Sequence, residues 1–108
     1  MGKSNNNGYA ESLFNTEENV CYICGKHTPC ARHEVLYGSN RDNSKKYGLW
    51  INVCPDCHQN RPGAIHNVPK AYEWLKEEAQ TLFEEHYPNK DFLTIFGKRY
   101  KDVEIERG

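Results

Sequence analysis

Apolar and polar positions fall into two patterns along the chain. After Asn67 the pattern is helical. Ala71, Leu75, Ala79, Leu82 and His86 recur at spacings of four and three, with Glu73, Glu77, Gln80 and Glu84 on the other side. That predicts one long amphipathic helix, with Asn67 as its N-cap, Pro69 in its first turn and Pro88 as its stop. Asp91 to Gly97 predicts a short final helix, capped by Gly97, whose aromatics cover the core. Upstream the apolar runs are short. Val35-Leu36-Tyr37 and Leu49 to Val53 predict two strands, the first ended by Gly38, with a polar, turn-forming loop over 39–46 between them. Pro55 and Asp56 suit the first turn of a short helix that carries Cys57 and His58 and breaks at Pro62-Gly63. Trp50 and Trp74, in a predicted strand and helix, are expected in the core. The fold class is α+β. A polar, glycine- and asparagine-rich stretch over 1–11 reads as a disordered lead, 12–100 as a single domain (a metal unit at 20–66 and packing helices at 67–97), and 101–108 as a charged tail.

Composition makes a metal staple plausible for this domain. Only 37% of its 108 residues are hydrophobic, a thin supply of core for a domain of this size, and metal binding adds directly to folding free energy. The cysteines provide the ligands. Cys21-Tyr-Ile-Cys24 and Cys54-Pro-Asp-Cys57 are two CxxC pairs separated by 29 residues. Each pair offers two thiolates, and together they complete one tetrahedral structural Zn²⁺ site. Gly25 allows the positive-φ turn that aims backbone N–H groups at sulfur. Cys30 lies outside both pairs and is read as structural. Neither pair sits in a thioredoxin-like βαβ pattern, which argues against redox chemistry. Reduced thiols, no apolar run near the ~20 residues of a membrane span and no apolar signal-peptide core lead to the expectation of a cytoplasmic protein without membrane contact.

Net charge is −1, but its distribution is uneven. Residues 22–70 hold seven Lys/Arg against three Asp/Glu, and residues 71–108 hold six against nine. The metal-bearing stretch is the basic one. Arg41, Lys45, Lys46 and Arg61 are the candidates to meet a nucleic-acid backbone. Tyr37 and Tyr47 flank that loop and could stack on bases.

The histidines suggest chemistry. His33 opens the first predicted strand, and His58 directly follows the last cysteine. Neighbouring residues point different ways, so Cys57 can face a structural zinc while His58 faces elsewhere. Pro62-Gly63 turns the chain and can return His66 to the same place. His33, His58 and His66 are therefore candidate ligands for one further divalent ion. Glu34 stands beside them as a base or as a fourth ligand.

The order CxxCG, a His-bearing strand and then strand–CxxCH resembles the HNH (ββα-metal, or His-Me finger) nucleases with a four-cysteine zinc frame. The pattern Arg32-His33-Glu34-Val35 through Gly38, Arg41, Ser44 and Tyr47-Gly48-Leu49 to Cys57-His58 and Ala64-Ile65-His66 is similar to small phage and prophage HNH proteins linked to recombination. The resemblance spans about Ser12 to Tyr100 and includes Phe92 to Gly97. It implies a zinc-stapled ββα-metal unit and a metal-dependent endonuclease that hydrolyses phosphodiester bonds in DNA with Mg²⁺, Mn²⁺ or another divalent ion such as Zn²⁺, with His33, Glu34 and His58 catalytic. His33-Glu34 stands where the family often has His-His or Asp-His. Either His33 binds metal and Glu34 is the base, or the roles are exchanged. Asn52 and Asn43 are the candidates for the family's middle Asn. The alternative is a catalytically degenerate, zinc-stapled nucleic-acid-binding or protein-interaction module.

Overall fold

The computed structural model describes residues 9–100. Its centre is a two-stranded antiparallel sheet of β1 (Ala31–Glu34) and β2 (Trp50–Val53). His33 lies opposite Ile51, and Glu34 opposite Trp50. The chain between the strands forms a 3₁₀ turn (Gly38–Asn40) and a helix, α1 (Arg41–Tyr47). After β2 come a π-helical turn (Asp56–Asn60), a 3₁₀ turn (Pro69–Tyr72), α2 (Glu73–His86) and α3 (Phe92–Phe96). The α+β class is as expected.

Several elements differ from the sequence expectation. β1 occupies 31–34 rather than 35–37. Val35 and Leu36 are both buried, so this pair does not alternate as a half-exposed strand would. The ladder ends at Val35, whose N–H still reaches the Leu49 carbonyl at 3.0 Å. The buried Ser44 hydroxyl then takes over the Leu36 backbone, accepting from its N–H at 3.1 Å and donating to its carbonyl at 2.5 Å. Ser44 lies in α1, so the polar stretch expected as a loop is a helix, ended by Gly48 in the left-handed region.

In α2 the buried face is Leu75, Ala79, Gln80 and Phe83. The stripe is rotated from the one expected, and Gln80, placed on the wet face, is fully buried. Its carbonyl accepts the Tyr100 N–H at 2.7 Å, and its amide donates to Glu84 at 3.3 Å. Trp74, expected inside, is 48% exposed. Asn67 does not cap α2. Its side-chain amide donates to the carbonyls of Gln59 and Arg61 at 3.0 and 2.7 Å and closes the preceding loop.

Phe83 is the hub of the core, with edge-on contacts to Tyr47, Phe92 and Phe96 at 5.2–5.6 Å between ring centroids. Gly97 caps α3 as expected, its N–H on the Leu93 carbonyl at 2.7 Å. The side-chain amides of Asn40 and Asn43 donate to the Phe96 and Ile95 carbonyls and tie α1 to that end.

The lead expected over 1–11 is corrected at its end. Tyr9, Ala10 and Glu11 lie against the domain: the Ala10 N–H donates to Lys45 at 2.8 Å, and the Trp50 indole N–H donates to the Ala10 carbonyl at 2.8 Å. The rest of that lead and the charged tail at 101–108 lie outside the described residues. The segment then follows β2, with the Leu13 N–H on the Gly48 carbonyl at 2.8 Å and the Ser12 hydroxyl on the Trp50 carbonyl at 2.6 Å. Among the described residues, no helix is long and apolar enough to cross a membrane.

Gly48 is where that segment presses closest. Its φ is +75°, and a Cβ there would meet the Glu11 carbonyl oxygen at 2.2 Å. Gly48→Ala should therefore lower stability by more than ~1 kcal/mol, measured by chemical denaturation, while Gly63→Ala, which meets nothing within 4 Å, should cost less.

Candidate functional site

Two clusters of side chains able to hold a metal flank the segment that leaves β2. The first is the four cysteines. Residues 17–28 form a tight knuckle, with bridges from Val20 to Glu17 and His27 and with Gly25 at φ +81°. The Tyr22 N–H donates to the Asn52 carbonyl at 2.8 Å, which docks this knuckle on β2 where Cys54 begins. The sulfurs of Cys21, Cys24, Cys54 and Cys57 all lie within 4.8 Å of one another. Cys24 and Cys54 Sγ are 3.9 Å apart. A tetrahedral Zn²⁺ with Zn–S near 2.3 Å separates its sulfurs by about 3.8 Å, whereas a disulfide needs about 2.05 Å. The N–H of Cys24 points at Cys21 Sγ (3.4 Å) and that of Cys57 at Cys54 Sγ (3.5 Å). Burial pushes the Cys21 thiol up, but backbone N–H groups of Cys54, Cys24 and Ile23 outweigh it and bring it down to about 6. Burial and the crowding of neighbouring sulfurs push Cys57 up. Four thiolates in this space need a cation, and the donor set fits Zn²⁺. Cys30 lies outside the cluster, its thiol on the Thr28 carbonyl at 3.2 Å.

The second cluster is His33, His58 and His66, whose ring nitrogens also lie within 4.8 Å of one another. Local backbone pairing produces it. Beyond Pro62-Gly63 the chain returns alongside the π-helical turn, with the Ile65 N–H on the Cys57 carbonyl at 2.8 Å and the His66 N–H on the His58 carbonyl at 3.1 Å. His66 is thereby set beside His58, with 3.0 Å between their Nε2 atoms. One divalent ion with M–N near 2.0–2.1 Å brings two imidazole nitrogens to about 2.9–3.4 Å of each other. His33 reaches the pair from β1, with ring centroids at 5.4 Å from His58 and 5.2 Å from His66. Burial, and then the neighbouring His58, His66 and Lys76, lower the His33 pKa to about 3. Burial and His66 lower His58 as well. His33 is therefore neutral at neutral pH, the form that binds metal. Among the ions expected, three imidazoles favour Zn²⁺ over Mg²⁺ and Mn²⁺, which prefer oxygen donors.

Glu34 is not part of the histidine cluster. Strand alternation sends it to the opposite face from His33, with Arg32, Trp50 and Asn52. At the strand's end it still lines the same open cleft as the histidines, with Arg41 and Tyr9. Its carboxylate is 3.4 Å from Arg41 Nε and accepts a hydrogen bond from the Tyr9 hydroxyl. Tyr9 is the site residue that sequence reasoning missed. No local motif marks it, and its partners Arg32, Glu34 and Trp50 lie 23 and more residues away.

The four basic candidates separate. Arg41 lines the cleft. The Lys45 ammonium sits 5.1 Å from the Tyr9 ring centroid and Lys46 5.5 Å from that of Tyr47. Arg61 belongs to the cysteine cluster, donating to Cys57 Sγ at 3.3 Å. Neither candidate middle Asn faces the cleft. The Asn52 amide donates to the Glu17 carbonyl at 2.9 Å, and Asn43 is held at α3. The chain matches no family model, no curated protein and no solved structure.

Two outcomes are expected. X-ray absorption of purified protein should show zinc with sulfur neighbours near ~2.3 Å. Strong chelation, or Cys57→Ser, should abolish the cooperative thermal transition seen by circular dichroism. The lowered His33 pKa also makes stability pH-dependent. Between pH 6.5 and about 3 the unfolded chain binds the proton and the folded one does not, so stability is full above 6.5 and falls as pH drops through that window. His33→Gln should flatten this slope relative to the parent in denaturation at matched pH.

Proposed function

We propose that this chain is a metal-dependent phosphodiesterase of the HNH class that cuts DNA. The observation that supports it best is the convergence of three histidines, from a strand, a helical turn and a return loop, on one point beside Glu34 and Arg41. The cysteine cluster, held by zinc, would keep strand and turn in place. His33, His58 and His66 would hold the catalytic ion, which supplies charge neutralisation at the phosphodiester and its leaving oxygen. His33 is buried among the other two imidazoles, which suits a ligand better than a base. Glu34 then draws the proton from the attacking water. Arg41, with its side chain 62% exposed, presents its guanidinium to a phosphate oxygen. A phage or prophage origin follows from the resemblance alone.

One observation favours a second reading. Glu34 is already engaged by Arg41 and Tyr9, and no Asn candidate faces the cleft. That would suit a nucleic-acid-binding module that does not cleave.

Plasmid nicking separates the two. With Zn²⁺, Ni²⁺, Mn²⁺ or Mg²⁺ supplied in turn, the parent should nick. His33→Ala, His58→Ala and His66→Ala, each with its cysteine-bound zinc retained, should lose activity by 10²-fold or more, and Glu34→Gln by about 10²-fold. Wild-type rates in the histidine variants would remove the site. Binding without nicking in the parent would favour the second reading. In either case Arg41→Ala should reduce the salt slope of DNA binding by about one unit.

A further inference from the structure

We infer that Tyr9 is a positioning residue for the Glu34 carboxylate, held at the cleft by the segment that follows it, Ala10 to Ser12. The assignment rests on the phosphodiesterase reading above and adds to it the group that orients the base.

A glutamate on the last position of a strand has three rotatable bonds and free choice of rotamer. A base must nevertheless keep one lone pair aimed at the water it activates. Here both oxygens have a partner. The Tyr9 hydroxyl donates to Oε2, and Arg41 Nε lies 3.4 Å from Oε1. Arg41 is the looser partner, because its side chain is 62% exposed. Tyr9 is the anchored one. Its ring packs edge-on against Trp50, at 5.5 Å between centroids. The Arg32 guanidinium carbon lies 4.5 Å from the Tyr9 centroid and 4.8 Å from that of Trp50, a cation shared by two rings.

The backbone that delivers Tyr9 is pinned as firmly. The Ala10 N–H and carbonyl are both bonded, to Lys45 and to the Trp50 indole, and Glu11 lies over Gly48, where any side chain would displace it. Burial and then the Glu34 hydrogen bond raise the Tyr9 phenol to about 12, so it stays a donor across the working range of a hydrolase.

Tyr9→Phe isolates the hydroxyl, because the ring contacts to Trp50 and Arg32 remain. The test is steady-state nicking by the full zinc-loaded chain as parent, Tyr9→Phe, Glu34→Gln and the double variant, with metal content and thermal midpoint recorded for each. Tyr9→Phe should lower kcat by about tenfold, with KM within twofold and zinc content unchanged. In the Glu34→Gln background the same change should have no further effect, since Tyr9 acts only through that carboxylate. Three results would overturn the role while leaving the phosphodiesterase reading intact: parental kcat in Tyr9→Phe, a loss that multiplies with that of Glu34→Gln, or a change confined to the thermal midpoint. An inactive parent removes both.

Discussion

Five residues, Cys54 to His58, must face two clusters at once, and the rest of the molecule is arranged to allow it. Cys54 directly follows β2 and is buried, and the turn after it brings Cys57 back to the same sulfur group. His58 comes next in the chain and leaves on the other side. A regular α-helix advances about 100° per residue, and the wider π-helical turn observed over Asp56–Asn60 changes that step where the two ligand sets divide. Neither cluster can shift without the other. Two backbone bonds from 65–66 to 57–58 lock the third histidine to the same frame.

That dependence explains how so little core suffices. Two four-residue strands are not stable alone in water. β2 is buried by three layers of support: the core side chains on one face, the 9–16 segment along it and the first knuckle on the Asn52 backbone. The aromatic hub around Phe83 closes the opposite end, with α1 tied to α3 through two asparagine amides. A metal at the cysteines would join the knuckle to the strand at the point where side-chain packing is thinnest, since Cys24 is exposed and the Lys26–Asp56 pair beside it is solvent-screened.

What was legible in the sequence was what depends on short spacing. Both CxxC pairs, the Gly97 cap and the existence of α2 and α3 follow from neighbours within one or two turns. The convergence of His66 on His58 was also within reach, because Pro62-Gly63 marks the reversal. What was not legible depends on distant partners. Ser44 turned an expected loop into a helix by serving the backbone of Leu36, eight residues back. Gln80 went inside because the Tyr100 N–H meets its carbonyl. Tyr9 sits in a polar lead whose composition suggests disorder, and only its ring, hydroxyl and following peptide find partners, all of them in the hairpin and α1.

The pair His33-Glu34 shows why the step between neighbours matters more than the residue types. Strand alternation places the two side chains on opposite faces with different neighbours. His33, 4% exposed, is desolvated among two imidazoles and Val35, Ile65 and Leu75, which keeps it neutral and its nitrogen free for a metal. Glu34, one residue on and 9% exposed, lies among Arg32, Arg41 and Tyr9, where its carboxylate is paired with protein groups. A histidine at position 34 would meet two guanidinium groups there, which disfavour its protonated form and oppose the gain of a proton from water. The strand therefore sends His33 to the face of the imidazoles and Glu34 to the face of the cations, and in the proposed phosphodiesterase the Tyr9 and Arg41 contacts would orient the Glu34 carboxylate.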